Sequence, residues 1–565
     1  MRAASDDVDV VVIGSGFGGS VAALRLTEKG YRVAVLESGR RFDETSLPAT
    51  SWRLRRFLWA PALRCFGIQR IHLLRNVVVL AGAGVGGGSL VYANTLHEPG
   101  PTFYADPQWA AMTDWRAELA PFYDQARRML GVQRNPTMTP ADEAMRDVAR
   151  EMGVGETFRL TDVGVFFGPP GTPRGTRVED PFFGGAGPAR RTCIECGECM
   201  TGCRYGAKNT LLTNYLHLAE RAGAAVYPMT TATAVHPDGS GRYVVHARRT
   251  GGPGRRRFTA RQVVFAAGAL GTQRLLHRMV ATGGLPDVSP RLGALTRTNS
   301  ESLGGAITGE STVDYSRGVA ITSAWNPDTN TQIQPVRYGH GSNAMGLLAT
   351  LQTDGGGALP RWVRWLGAVT RHPRRLARTL DVRRWSERTV ISLVMQSVDN
   401  SITVVRRRGI GGRVRLTSRQ GYGTPNPSWI PAGNEAARLL AKRIGGWPAS
   451  TVGEIVNIPM TAHLIGGAVI GDSPATGVVD GYQRLYGHAG LHVLDGAAVC
   501  ANLGVNPSLT ITAQAERAMA CWANNGDRDP RPPLRSAYER IGYVMPRSPV
   551  VPPSAPGALR LPTIR

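Results

Sequence analysis

The sequence predicts an α/β protein with two domains. One is a Rossmann-like nucleotide-binding domain, discontinuous along the chain, and the other is an α+β domain built on an antiparallel sheet. Three observations carry this. A strand–glycine turn–helix–strand unit opens the chain, "DVDVVVIGSGFGGSVAALRLTEKGYRVAVLESG". Further strand–turn–helix pieces recur hundreds of residues later, "RQVVFAAGALGTQRLL" and "LHVLDGAAVCANLGVNPSLTITAQAERAM". Between them lie alternating stretches such as "SITVV" and "RVRLT", the period of a half-buried strand.

In the first unit, Val10–Ile13 read as a buried strand, and Gly14, Gly16 and Gly19 fit G-x-G-x-x-G. The first glycines let the backbone turn tightly toward a pyrophosphate at a helix N-terminus, and the third lets helix and strand pack closely. The helix carries Val21, Leu24 and Glu28 and stops at Gly30. Glu37 closes the next strand, Val33–Leu36, where a carboxylate can accept hydrogen bonds from ribose hydroxyls. A second glycine-rich turn, "AGAGVGGGSLVYAN", is anchored by apolar residues on both sides, so its backbone can lie against a flat ring or a phosphate. The expected partition is 1–101, 222–291 and 450–525 for the nucleotide domain. The second domain takes 102–221 and 292–449, and 526–565 is a Pro-rich surface tail.

The 565 residues carry a net charge of +24, almost all of it from arginine, since lysine occurs only at Lys29, Lys208 and Lys442. No zinc-finger spacing or RNA-binding aromatic motif accompanies that charge, so an anionic membrane surface is a better expected partner than nucleic acid. No secretory signal is read at the N-terminus, and the seven cysteines form no disulfide framework. A reducing, cytoplasmic setting is expected, with peripheral membrane contact.

Four of those cysteines, Cys193, Cys196, Cys199 and Cys203, lie in "CIECGECMTGC". Their C-x2-C-x2-C-x3-C spacing matches thiolates that collect around a [4Fe–4S] cluster, although Arg204 stands where proline usually follows the fourth. Cys500 is the candidate to complete such a site. Zinc and packed, reduced thiols are the other readings of the run.

These segments together resemble the glucose–methanol–choline (GMC) flavin oxidoreductases, and within them the cholesterol oxidase branch, from Asp9 to about Trp522. "AHLIGG" and "VVFAAGALGTQRLL" belong to the same likeness. The resemblance implies FAD, with Gly14, Gly16, Gly19 and Glu37 at its ADP half and Ala232 near the adenine. It places Gly87, Gly88, Ser89 and Asn94 along the flavin, and Asp495 and Gly496 beside the ribityl chain and ring. It puts His463 and Asn506 at the active-site histidine and asparagine.

Those residue types suit the chemistry. An alcohol releases hydride as its O–H proton leaves, which an imidazole can accept near neutral pH, and an amide can hold the developing alkoxide. Taken alone, His463 reads more simply as a core histidine and Asn506 as a turn or cap residue. The implied reaction is oxidation of a 3β-hydroxysteroid, or a similarly bulky lipophilic alcohol, to the ketone by hydride transfer to flavin N5. Molecular oxygen is then the acceptor, giving hydrogen peroxide. The alternative is a dehydrogenase that passes electrons to a carrier through the cysteine cluster. One departure stands out. The family's steroid-isomerising glutamate has no counterpart in "RTVISLVMQSVDN", where Gln396 and Asp399 are the nearest polar residues.

"PRWVRWLGAVTRHPRR" reads as an amphipathic helix with Trp362, Trp365, Leu366 and Val369 on one stripe. The simpler expectation puts that stripe in the core. The other lays it on lipid, assisted by "SWRLRRFLWAP".

Overall fold

Val10–Ile13 and Val33–Leu36 are unbroken aliphatic runs with every residue buried, as strands covered on both faces should be. They lie in a five-stranded, all-parallel sheet of order Ala225–Tyr227, Val33–Leu36, Val10–Ile13, Gln262–Phe265, Leu491–Val493. The computed structural model describes residues 5–309, 313–408 and 414–562. Helix Phe17–Glu28 follows the first strand and packs against helix Ser508–Ala520 from the far end of the chain. Helices Trp115–Met129 and Tyr215–Arg221 join the same hydrophobic core.

The Pro-rich segment after residue 526 has no helix or strand among its described residues, yet it is fastened to this core. Tyr538 stacks on Trp115 at 5.5 Å. Its hydroxyl bonds the Glu118 carboxylate, which also accepts from Arg517 Nε at 2.6 Å. Val551, Ala555 and Ala558 are buried.

The second sheet has five antiparallel strands in the order Thr331–Val336, Thr389–Gln396, Ser302–Thr308, Gly446–Thr451, Ala349–Leu351. Its strands obey the two-residue alternation of a pleated sheet. Val390 and Val394 face a core built with helices Pro140–Glu151 and Pro431–Arg443, while Ile391 and Leu393 face a large cavity. The stretches "SITVV" and "RVRLT" pair antiparallel as expected, but as a separate ribbon, Asn400–Arg408 with Val414–Gly423. Arg413 lies outside the described residues.

Helix Arg361–Arg371 differs from the simpler expectation. Trp362 is 54% and Leu366 48% exposed, whereas Arg361 is buried and pairs with Glu454 at 2.7 Å. The helix is pinned by its arginine, and much of its apolar stripe is left open. Among the described residues no helix is long and apolar enough to cross a membrane.

Candidate active site

A cavity of about 1410 Å³ runs from the C-terminal ends of the parallel strands to the face of the antiparallel sheet. That exceeds the usual 300–1,000 Å³ of a single small-molecule pocket, leaving room for a dinucleotide and a second ligand. Its lining gathers Gly14, Gly16, Glu37, Gly87, Gly88, Ala232, Asp495, Gly496, His463 and Asn506. Residues from four distant stretches thus meet where open α/β sheets bind ligands.

The nucleotide end is shaped by backbone proximity. At Gly14, with φ +106°, an added Cβ would lie 2.2 Å from Ala266 O, whereas at Gly16 it would meet nothing within 4 Å. Gly16 therefore faces open space of the kind a pyrophosphate needs. Gly19 acts differently, since its Cβ would sit 2.1 Å from Gly14 O, so it serves helix–strand packing and does not line the cavity. Gly87 lies against Gly16, joining the two glycine turns. Glu37 accepts from Ser15 Oγ at 2.7 Å and from the Gly39 amide at 2.8 Å, which ties the turn to the strand end. Arg70 and Arg274 also line the cavity. Burial, then the charge of Arg274, pulls Arg70 down to about 10. Two such cations in one cavity suit an anionic cofactor.

Asp495 is buried, accepting from Thr272 Oγ1 at 2.5 Å and from the Ala497 amide at 2.9 Å. Burial outweighs these bonds and raises it to about 6. Ser89 and Asn94 lie outside the cavity lining. The Ser89 hydroxyl donates to Gly86 O at 2.7 Å and accepts from the Leu211 amide at 3.1 Å, so it braces the turn. Asn94 is buried at φ +69°, with its side chain beside the Cys199 thiol.

At the other end, His463 Nε2 and Asn506 Nδ2 are 3.4 Å apart. The helix after "GVNP" begins at Ser508 with Pro507 as cap, so Asn506 does not cap it and its side chain lines the cavity. Gln334 and Glu301 complete the cluster, and neither was expected from the sequence. Gln334 Nε2 donates to Asn506 Oδ1 at 3.1 Å, and Glu301 bonds His463 Nδ1. Beyond them the wall is apolar, with Leu303, Ile307, Ile391, Leu393, Met345 and Trp385. Gln396 bonds Thr331 Oγ1 and Asp399 pairs with Arg297, and neither lines the cavity.

The cysteine run gives the cluster reading no support. Among the described residues no group of three or more His, Cys, Asp or Glu side chains is placed to hold a metal ion. The run winds through a short 3₁₀ turn, Glu198–Thr201, and packs Cys193 and Cys199 among Val163, Val165, Ala207 and Val319. Burial raises the thiols of Cys193, Cys196 and Cys199, that of Cys196 to about 12. Cys500 is turned toward the carbonyls of Ile470 and Ala498. Cys193, Cys196, Cys199 and Cys203 are thus free thiols, with Cys193 and Cys199 buried and Cys196 and Cys203 partly so.

Known proteins place this architecture. Residues 9–330 match the FAD dependent oxidoreductase family, and residues 447–515 match the GMC oxidoreductase C-terminal family. The chain is 59% identical over 98% of its length to a cholesterol oxidase of Mycobacterium tuberculosis, covering 98% of that protein. It is 43% identical to a cholesterol oxidase of Acinetobacter baumannii, covering 91% of this chain and 94% of that one. Pyridoxine 4-oxidase from Mesorbium loti shares the fold at TM-score 0.57 and 15% identity, over 90% of this chain and 98% of that one. Together with the glycine turns and the cavity they border, these likenesses lead to one assignment: the chain belongs to the GMC oxidoreductase family of FAD-dependent enzymes.

Proposed function

We propose that the protein oxidises a 3β-hydroxysteroid of cholesterol type to its ketone, with oxygen as electron acceptor and hydrogen peroxide as co-product. The observation that carries this reading is the apolar wall from Leu303 to Leu393, adjoining the His463–Asn506 imidazole–amide pair in the cavity lining. A fused-ring alcohol can bury its rings on that wall and present one hydroxyl to the polar end. The near-full-length likeness to two cholesterol oxidases supports the same substrate class.

FAD supplies the hydride acceptor at flavin N5. In this reading Gly14, Gly16, Glu37, Ala232, Gly87, Gly88, Asp495 and Gly496 hold it, with Gly19 and Ser89 bracing the two turns. His463 Nε2 takes the hydroxyl proton, and Asn506 Nδ2 donates to the same oxygen, so the alkoxide forms only where it is stabilised. The apolar wall keeps water away. Among the described residues the carboxylates in the cavity lining are Glu37 and Asp495, neither on the antiparallel sheet, so the reading ends at the unconjugated ketone.

The substrate also suggests a location. Helices Arg361–Arg371 and Pro373–Leu380 present Trp362, Leu366 and Leu380 among five arginines besides the buried Arg361, near the short Ala344–Leu348 turn whose Met345 and Leu348 line the cavity. This pairing of exposed apolar groups and cations suits an anionic lipid surface from which a sterol could enter. The functional reading is tested by mixing the yellow protein anaerobically with cholesterol. Bleaching of the flavin, then peroxide on admitting oxygen, is expected; an unbleached flavin refutes it.

A further inference from the structure

Glu301 is 1% exposed and absent from the cavity lining, so it does not reach a substrate. Its carboxylate is divided between two neighbours. Oε1 accepts from Nδ1 of His463, and Oε2 accepts from the Ala462 amide at 2.7 Å. Among the described residues its only ion-pair partner is His463.

The backbone that presents this carboxylate is unusual. Asn299 and Ser300, immediately before it, have φ of +57° and +45°. Two consecutive non-glycine residues adopt left-handed conformations only where their surroundings hold them there. The Asn299 amide donates to Asn502 Oδ1 at 2.9 Å, and its Nδ2 donates to Val505 O at 3.0 Å. Its Oδ1 accepts from the amides of Leu503 and Gly504 at 3.1 and 2.9 Å. Ser300 Oγ donates to Asn400 Oδ1 at 3.0 Å. One three-residue turn therefore grips both His463 and the 502–505 loop that leads into Asn506.

We propose that Glu301 is the positioning residue of this active site, fixing His463 as a proton acceptor toward the cavity, with the Asn299–Ser300 turn setting its register against Asn506. With Nδ1–H donated to Glu301, the lone pair of the imidazole is on Nε2, the nitrogen facing Asn506. When Nε2 takes the proton of the substrate hydroxyl, the C–H electron pair leaves as hydride to the flavin. The imidazole becomes cationic, and the ionised Glu301 beside it stabilises that charge without exchanging a proton. This is the orienting third group of a nucleophile–base arrangement, applied here to an alcohol.

The proposal rests on His463 being the base, and the experiment separates the two. Anaerobic flavin reduction by a steroid alcohol is followed across pH in wild type, His463→Ala, Glu301→Gln, Glu301→Asp and the His463→Ala/Glu301→Gln double variant. The flavin spectrum confirms that each is folded and loaded. Glu301→Gln should slow the limiting rate by about 10²-fold or more with little change in apparent KM. It should also move the rise of rate to lower pH, because the imidazolium loses its neighbouring anion. Glu301→Asp should restore part of the rate and the pH midpoint. The double variant should be no slower than His463→Ala. A wild-type rate and pH profile in Glu301→Gln, with His463→Ala impaired, overturns the role of Glu301. An unimpaired His463→Ala overturns the reading of the base itself. If Glu301→Gln fails to retain flavin, Glu301→Ala takes its place: a wild-type rate and pH profile there overturns the proposal, and a slowed rate with the midpoint at lower pH supports it.

Discussion

Gln334 Nε2 donates to Asn506 Oδ1 at 3.1 Å, which turns the amide so that its NH₂ faces His463. His463→Ala should then lower kcat for a steroid alcohol by about 10²–10⁴-fold with flavin still bound. Asn506→Ala should slow flavin reduction with a smaller effect on apparent substrate binding. Gln334→Leu, which frees the amide to rotate, should cost about 1 kcal/mol in the same rate. Anaerobic stopped-flow measurements check all three, and unaltered rates would remove these residues from the reaction.

The open space at Gly16 makes a prediction that Gly19 does not share. Gly16→Leu should give a folded but colourless protein, whereas substitution of Gly19 should destabilise the fold, since its Cβ would strike Gly14 O. Glu37→Ala should weaken FAD binding by about 1–3 kcal/mol. Flavin fluorescence on titration and thermal melting distinguish loss of cofactor from loss of fold.

Asp495 titrates near 3.8 when unfolded and near about 6 in the fold. Between these values the folded state holds more protons. Its contribution is therefore full below about pH 4 and is lost, by about 3 kcal/mol, as pH rises through 6. Asp495→Asn carries no such dependence. The difference in melting temperature, variant minus wild type, should move in favour of the variant from about pH 4 to pH 7; a constant difference would contradict the raised value.

With no carboxylate among the described residues on the sheet face of the cavity, the first product should be the unconjugated ketone. Following product under anaerobic single turnover should show flavin bleaching before any conjugated-enone absorbance. Appearance of the enone at the rate of bleaching would mean an isomerising base is present.

If the helix at Arg361–Arg371 meets lipid, Trp362→Asp/Leu366→Asp should reduce co-sedimentation with anionic vesicles while leaving turnover of detergent-dispersed sterol unchanged. Equal sedimentation of variant and wild type would leave the stripe without that role.

The parallel sheet was legible because each of its units is local. An aliphatic run, a glycine turn and a helix follow one another within about thirty residues, and the strands Val10–Ile13 and Val33–Leu36 are buried on both faces. The antiparallel sheet was not. Its strands include "SLGGAIT" and "TQIQPV", whose glycines and Pro335 mask the alternation, the proline being tolerated because Thr331–Val336 is an edge strand. Glu301 was invisible for another reason. Its partner is 162 residues away, and "TNSES" reads as an ordinary polar turn until the two left-handed residues are seen. The tryptophan stripe was visible, but periodicity says only that one face is apolar, not what covers it. The cysteine spacing likewise reports proximity along the chain and leaves the direction of each thiol to the surrounding packing.

The strand Leu491–Val493 at the edge of the parallel sheet governs how the enzyme is made. A chain emerging from the ribosome has the first glycine turn within its opening forty residues, but Asp495, Gly496 and Asn506 arrive only after some five hundred. The helix that packs on Phe17–Glu28 is among the last elements synthesised, and the segment gripping it by Tyr538 comes later still. No partial product can close the flavin seat. Capture of the cofactor is thus a late event that waits on these distant residues, and until then the apolar surfaces they cover stay open.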